Sequence, residues 1–112
     1  VQVSTVLRSL PESLPERLFS DLLYIIQEAV TNAIKHGHAT RLVLTSDTLR
    51  TADGFALRIL NNGTPFDPNR ALGPEAGHYG LSGMRERARR NGIEISWFSS
   101  SRITSVRLEV HL

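Results

Sequence analysis

Between residues 18 and 34 the apolar side chains Leu18, Leu22, Ile25, Ile26, Ala29, Val30, Ala33 and Ile34 recur at steps of three and four. That is the spacing of one face of an α-helix. A helix with such a face needs a surface to cover, and the flanking segments supply strands. Residues 1–7, 41–47 and 55–60 alternate as strands do, with Asp53-Gly54 as the turn between the last two. Residues 81–90 read as a second helix closed by Asn91-Gly92, and residues 93–98 and 103–110 as a closing hairpin. The two prolines in residues 10–15 mark a loop, and the first helix starts with either a Ser13–Glu16 capping box or Pro15 at its first position. Gly37 is expected to end it as the C′ residue. The order implies an α/β (α+β) two-layer sandwich, with two helices on one face of a mixed, mostly antiparallel sheet.

At 112 residues and 40% apolar content, residues 1–112 make one domain able to bury its own core. Val1 in place of Met is expected of a piece of a longer protein. The absence of cysteine removes disulfides, thiolate metal sites and cysteine nucleophiles. No run of about 18 apolar residues exists to cross a membrane, so membrane contact is expected only through missing segments and localisation is expected to be cytoplasmic. The net charge is only +2, and the basic run Arg85, Arg87, Arg89, Arg90 has no interleaved aromatic residues to stack bases, so nucleic acid is not an expected partner. Trp97-Phe98 falls on an expected strand and reads as core or sheet packing.

On the first helix, Asp21, Tyr24, Glu28, Asn32 and Lys35 share one face at steps of three or four. Such a stripe is ordinarily a solvated face. Asn32 is a poor helix former, however, and Glu28 and Lys35 flank it by one turn with an anion and a cation. An amide oxygen is a hard neutral donor for Mg²⁺, Lys35 can meet phosphate oxygens, and Glu28 can hold a water or accept a proton.

Two glycine-bearing segments follow. Asn61-Asn62-Gly63-Thr64-Pro65 ends the third strand, where such residues also make ordinary turns. Gly80 and Gly83 straddle the start of the second helix, where free backbone N–H groups attract anions, although a plain flexible loop and N-cap read the same way. His36 and His38 form an H-x-H that, with His78, offers metal ligands, against simple exposure as the alternative.

Taken together, the segments resemble a known family. The run from Gln27 through Glu28, Asn32, Lys35 and His36 to Gly37 resembles the N box of histidine kinases. Asn61-Asn62-Gly63 stands where the first glycine box is found. Gly80-Leu81-Ser82-Gly83-Met84-Arg85-Glu86-Arg87-Ala88 resembles the second glycine box of the nitrate-sensor-like class, where a "GL.GMRERA" run is typical. The resemblance covers nearly the whole chain.

It implies the Bergerat ATP-binding fold of the GHKL ATPases. It also implies autophosphorylation from Mg²⁺-ATP in two-component signalling, with ATP and Mg²⁺ as cofactors. By resemblance Asn32 binds Mg²⁺, Glu28 acts beside the transferred phosphoryl group, and Lys35 and His36 approach the phosphates or ribose. Gly63 belongs to the first glycine box, residues 68–79 form the lid, Gly80, Leu81 and Gly83 shape the phosphate end, and Met84 and Thr104 lie near the base. The implied partners are the phosphoacceptor and dimerisation helices of the same kinase, outside this chain, and a response regulator through the full-length protein.

The sequence departs from the family in one box. Asn61 stands where an aspartate usually accepts a hydrogen bond from the adenine amino group, and Pro65 replaces the second glycine. Weakened nucleotide affinity is the expectation, and a degenerate, non-catalytic regulatory or interaction module is the alternative reading. A serine kinase of the anti-sigma type with the same fold is a further rival, against which the "GMRERA" run speaks.

Overall fold

A computed structural model describes residues 1–50, 53–65 and 81–112. The expected lid residues 68–79, together with Gly80 and His78, lie outside the described residues. The elements run β1 (Gln2–Val6), α1 (Glu16–Thr31), a π-helical turn (Asn32–His36), β2 (Arg41–Thr48), β3 (Gly54–Asn61), α2 (Leu81–Asn91), β4 (Glu94–Ser99) and β5 (Thr104–His111). They match the sequence reading element for element. The five strands form one sheet in the order β1-β2-β3-β5-β4. Only the β1–β2 pair is parallel, because α1 intervenes as the crossover between these strands. The other three pairs are antiparallel.

The core lies between the helices and one sheet face. Phe55, Leu57 and Ile59 of β3 and Val106, Leu108 and Val110 of β5 point into it, while Arg58, Arg107 and Glu109 alternate outward. Above them α1 lays down Leu18, Leu22, Ile25 and Ala29, and α2 adds Leu81, Met84 and Ala88. Ile25, Leu108 and Val110 are wholly buried. Burying one such side chain contributes about 1.5–3 kcal/mol.

Two helix ends differ from expectation. The cap residue of α1 is Pro15, and no side chain bonds to it, so the Ser13–Glu16 box does not form. Glu16 is the first helical residue, too early to reach back as the third residue of a box; its charge sits in the positive first turn instead. At the other end Gly37 keeps φ −94°, and it is His38 at φ 55° that takes the left-handed conformation. The helix widens first, with Gly37 N–H donating to Asn32 O at 3.0 Å, five residues back. Glycine is needed at 37 for space: a Cβ there would sit 2.8 Å from Ala33 O and 3.4 Å from Thr64 O.

Candidate functional site

The inner faces of β3 and β5 lose their apolar character at the same end. Asn61 follows Ile59 and Thr104 precedes Val106, and the two polar residues are direct cross-strand partners. Both are buried, at 9% and 4% exposure. On the helical side, Asn32 continues the buried row that runs through Ile25 and Ala29, and it is 9% exposed. Three polar side chains therefore end up at one mouth of an otherwise apolar core. They line a cleft with Ala29, Ala33, Thr64, Met84, Trp97 and Val106. The cavity between these walls is about 20 Å³, room for one water molecule. A larger ligand has to part them; of the walls, Met84 is the unbranched and most adaptable side chain, and Trp97 on the outer strand pair is half-buried.

Thr104 Oγ1 is buried without a hydrogen-bond partner among the described residues. A sealed-off hydroxyl of this kind costs about 1–3 kcal/mol, so its retention calls for a reason. Asn61 is partly engaged: its Oδ1 accepts the Gly63 N–H at 2.8 Å. Next to it, Asn62 Oδ1 accepts the N–H groups of Thr40 at 2.9 Å and Arg41 at 3.0 Å, and Asn62 Nδ2 donates to Thr40 Oγ1 at 2.9 Å. Thr64 N–H donates to Gly37 O at 2.8 Å. The first glycine segment is thus fastened to the end of the helix that carries Asn32. Gly63 permits this approach, since a Cβ there would lie 2.7 Å from Gly37 O.

The polar stripe of α1 divides along its length. Asn32 goes into the cleft, Glu28 is half-buried one turn earlier, and Lys35 and His36 are exposed in the π turn. Asp21 and Tyr24 turn to α2 instead. Asp21 accepts from Arg90 Nε at 2.7 Å, Arg90 Nη2 at 2.6 Å and Asn91 Nδ2 at 2.6 Å, with Arg87 Nε 3.7 Å away. The Arg90 hydrogen bonds, helped by Asn91 and by both guanidinium charges, hold the Asp21 carboxyl at about 2 against the opposing effect of burial. The Arg87 guanidinium lies 3.6 Å from the centre of the Tyr24 ring and donates to Gly83 O at 3.3 Å.

Of the residues expected from sequence, Asn32, Asn61, Met84 and Thr104 meet in this cleft. Gly63 stands beside it through its bond to Asn61. Leu81 is buried in the core, and Gly83 faces Tyr24, whose hydroxyl would be 2.7 Å from a Cβ at that position. Trp97 was missed, although its place two residues from Ile95 on an alternating strand puts it on the inner face. Among the described residues, the histidine and acidic side chains close enough to share an ion are Glu94, Glu109 and His111, which lie at the other end of the β4–β5 pair. His36 and His38 are not in that group.

The geometry can be set beside known proteins. Residues 1–95 match the family model described as histidine kinase-like ATPase domain. The nitrate/nitrite sensor protein NarQ of Escherichia coli (strain K12) is 44% identical over 81 residues, covering 71% of this chain and 13% of the relative. The sensor protein VraS of Staphylococcus haemolyticus (strain JCSC1435) is 35% identical over 74 residues, covering 66% of this chain and 20% of the relative. This chain therefore spans a fifth or less of the curated relatives it matches. The histidine kinase domain of the blue-light activated kinase EL346 from Erythrobacter litoralis superposes with a TM-score of 0.79 at 16% identity, over 99% of this chain and 51% of that one. Among the described residues no helix is long and apolar enough to cross a membrane.

Proposed function

Because the chain belongs to the family of histidine kinase-like ATPase domains, we propose that its Asn32–Asn61–Thr104 cleft binds Mg²⁺-ATP. The bound nucleotide supplies the phosphoryl group for a histidine on dimerisation helices outside this chain, and a response regulator receives it in turn. The observation that carries this reading is the buried Thr104 hydroxyl opposite Asn61, without a partner among the described residues, at the polar end of an apolar cleft. Polar groups of this kind, few and convergent in an apolar surround, suit a planar heteroaromatic base.

The residues present also fit a hydrated magnesium ion. Mg²⁺ keeps several waters and takes few protein ligands besides phosphate, and Asn32 offers one amide oxygen at the cleft. When bound, the ion neutralises phosphate charge and orients the transferred group. Glu28, one turn before Asn32, acts beside the phosphoryl group, where it orients the attacking histidine or takes the proton that the histidine loses. Lys35 and His36, exposed in the π turn, reach for phosphate or ribose oxygens. Met84 lies against the base, while Leu81 and Gly83, at the start of the second helix, shape the phosphate end of the pocket with the preceding Gly80. Catalysis on this reading is positioning and electrostatics rather than covalent chemistry.

Calorimetric titration with a non-hydrolysable ATP analogue, with and without Mg²⁺, tests the proposal. The expected result is Mg²⁺-dependent binding that Asn32→Ala abolishes. No heat and no thermal stabilisation at millimolar nucleotide would make the chain an interaction module instead.

A further inference from the structure

We propose that the open face of the sheet, on the side away from the helices and the cleft, carries a docking groove for an acidic peptide segment. The groove encloses about 400 Å³ and is lined by Arg8, Arg50, Arg58 and Arg107, with Asp47 as the acid among its described lining residues.

These arginines are placed where a counter-ion is wanted. Four of them against one aspartate is a larger positive surplus than the +2 of the whole chain, so the excess charge of the protein is concentrated here. Arg58 and Arg107 are direct cross-strand partners, a placement in which like charges repel. Arg107 is relieved by Glu109, whose Oε2 lies 2.5 Å from its Nη1. The guanidinium groups of Arg8, Arg50 and Arg58 have no such partner among the described residues. Asp47 does not neutralise them, since its Oδ1 accepts the Thr48 N–H at 2.8 Å. Arg8 is also held in position. The hydroxyl of Ser46, 6% exposed, accepts the Arg8 N–H at 2.6 Å and donates to Arg8 O at 2.8 Å, tying the end of β1 to the groove wall.

The shape selects the occupant. Val6, Thr45, Arg58 and Arg107 are successive register partners on β1, β2, β3 and β5, so the groove crosses three strand spacings, about 14 Å. Arg8 and Arg50 follow the ends of β1 and β2, which spreads the positive charge along the groove instead of gathering it at one point. A lone phosphate meets only part of that length, whereas about four residues of extended chain span it. Carboxylates suit guanidinium forks, as Asp21 already does for Arg90. None of the described lining residues is aromatic, so bases of a nucleic acid find nothing to stack on. The concave form, with Asp47 in its wall, also disfavours a flat anionic lipid surface.

The test is calorimetric titration of the chain, without nucleotide and at low ionic strength, with N-acetylated, C-amidated tetraglutamate. Two double variants with equal charge change are compared, Arg8→Ala with Arg58→Thr in the groove and Arg17→Ala with Arg102→Ala elsewhere on the surface. The parent is expected to bind the peptide, and added salt to weaken it. The groove variant is expected to lose at least about tenfold in affinity and the control less than about threefold. The groove variant is also expected to melt no lower than the parent, because the Arg58–Arg107 repulsion is gone. If Arg58→Thr does not fold, Arg8→Ala with Arg50→Ala, neither on a central strand, decides on the same terms. No binding by the parent overturns the inference, as does a loss no greater in the groove variant than in the control. Tighter binding of phosphatidylserine vesicles or of a single-stranded oligothymidylate than of the peptide overturns it too. A parent that binds the ATP analogue but not the peptide overturns this inference alone.

Discussion

Arg90 grips Asp21 with two parallel hydrogen bonds, Nε to Oδ2 at 2.7 Å and Nη2 to Oδ1 at 2.6 Å, joining residues 69 positions apart in the chain. Asn91 adds a third bond to the same carboxylate at 2.6 Å. Because the carboxyl is held at about 2 against an ordinary 3.8, folding favours its ionised form. The stabilisation is complete above about pH 4 and is lost as pH falls through about 2. Urea unfolding between pH 2 and 7 checks this: Asp21→Asn is expected to flatten the acid limb of the parent's stability curve. At neutral pH the variant is expected to melt roughly 5–10 °C lower, since it leaves Arg90 without its counter-ion.

Thr104→Val separates a binding role from a structural one. The exchange keeps shape and removes a hydroxyl that has no partner among the described residues. Stability is expected to hold or rise by up to about 1 kcal/mol, while nucleotide affinity falls by about threefold to tenfold. Denaturant titration and calorimetry read the two effects. A destabilised variant with unchanged affinity would mean the hydroxyl serves the fold.

Gly83→Ala is expected to destabilise by about 1–3 kcal/mol, because the new Cβ meets the Tyr24 hydroxyl at 2.7 Å. Tyr24→Phe removes that oxygen, so the double variant is expected to lose less than the sum of the two single changes. The coupling is read from a double-mutant cycle in urea. Strict additivity would mean that Gly83 does not touch Tyr24.

Gly63→Ala pushes a Cβ to 2.7 Å from Gly37 O and 3.0 Å from Asn61 Oδ1. The backbone bond from Thr64 N–H to Gly37 O and the Asn61 orientation are both expected to give way. Affinity for nucleotide should fall at least about tenfold even where melting temperature drops only a few degrees. Equal affinity in parent and variant would remove this contact from the account of the site.

The fold was legible because its signals are local. The three-and-four spacing from Leu18 to Ile34, the alternating strands and Gly92 at φ 66° each report a backbone conformation at the residues that carry it. The cleft was half legible. Asn32, Asn61, Met84 and Thr104 were found through the family pattern, and they converge partly because the register of β3 and β5 brings Asn61 and Thr104 opposite each other. The clasp was not legible. Asp21 reads as one more polar residue on a surface stripe until α2 is laid against it. Arg90 likewise reads as a cation suited to a helix end. Gly37 misled for a related reason, since a glycine needed for space at a contact looks the same in sequence as one needed for a left-handed turn.

The Asp21 clasp and the Asn32 cleft sit 11 residues apart on the same stretch of helix, about 16 Å along its axis. The second helix runs alongside with Arg90 and Asn91 at the clasp and Met84 near the cleft. The pair therefore behaves as two beams pinned at one end. On the proposed reading, a small tilt about the pin would widen the opposite end without loosening the joint, so that a base would enter between Met84 and Asn32 while the sheet stays in place.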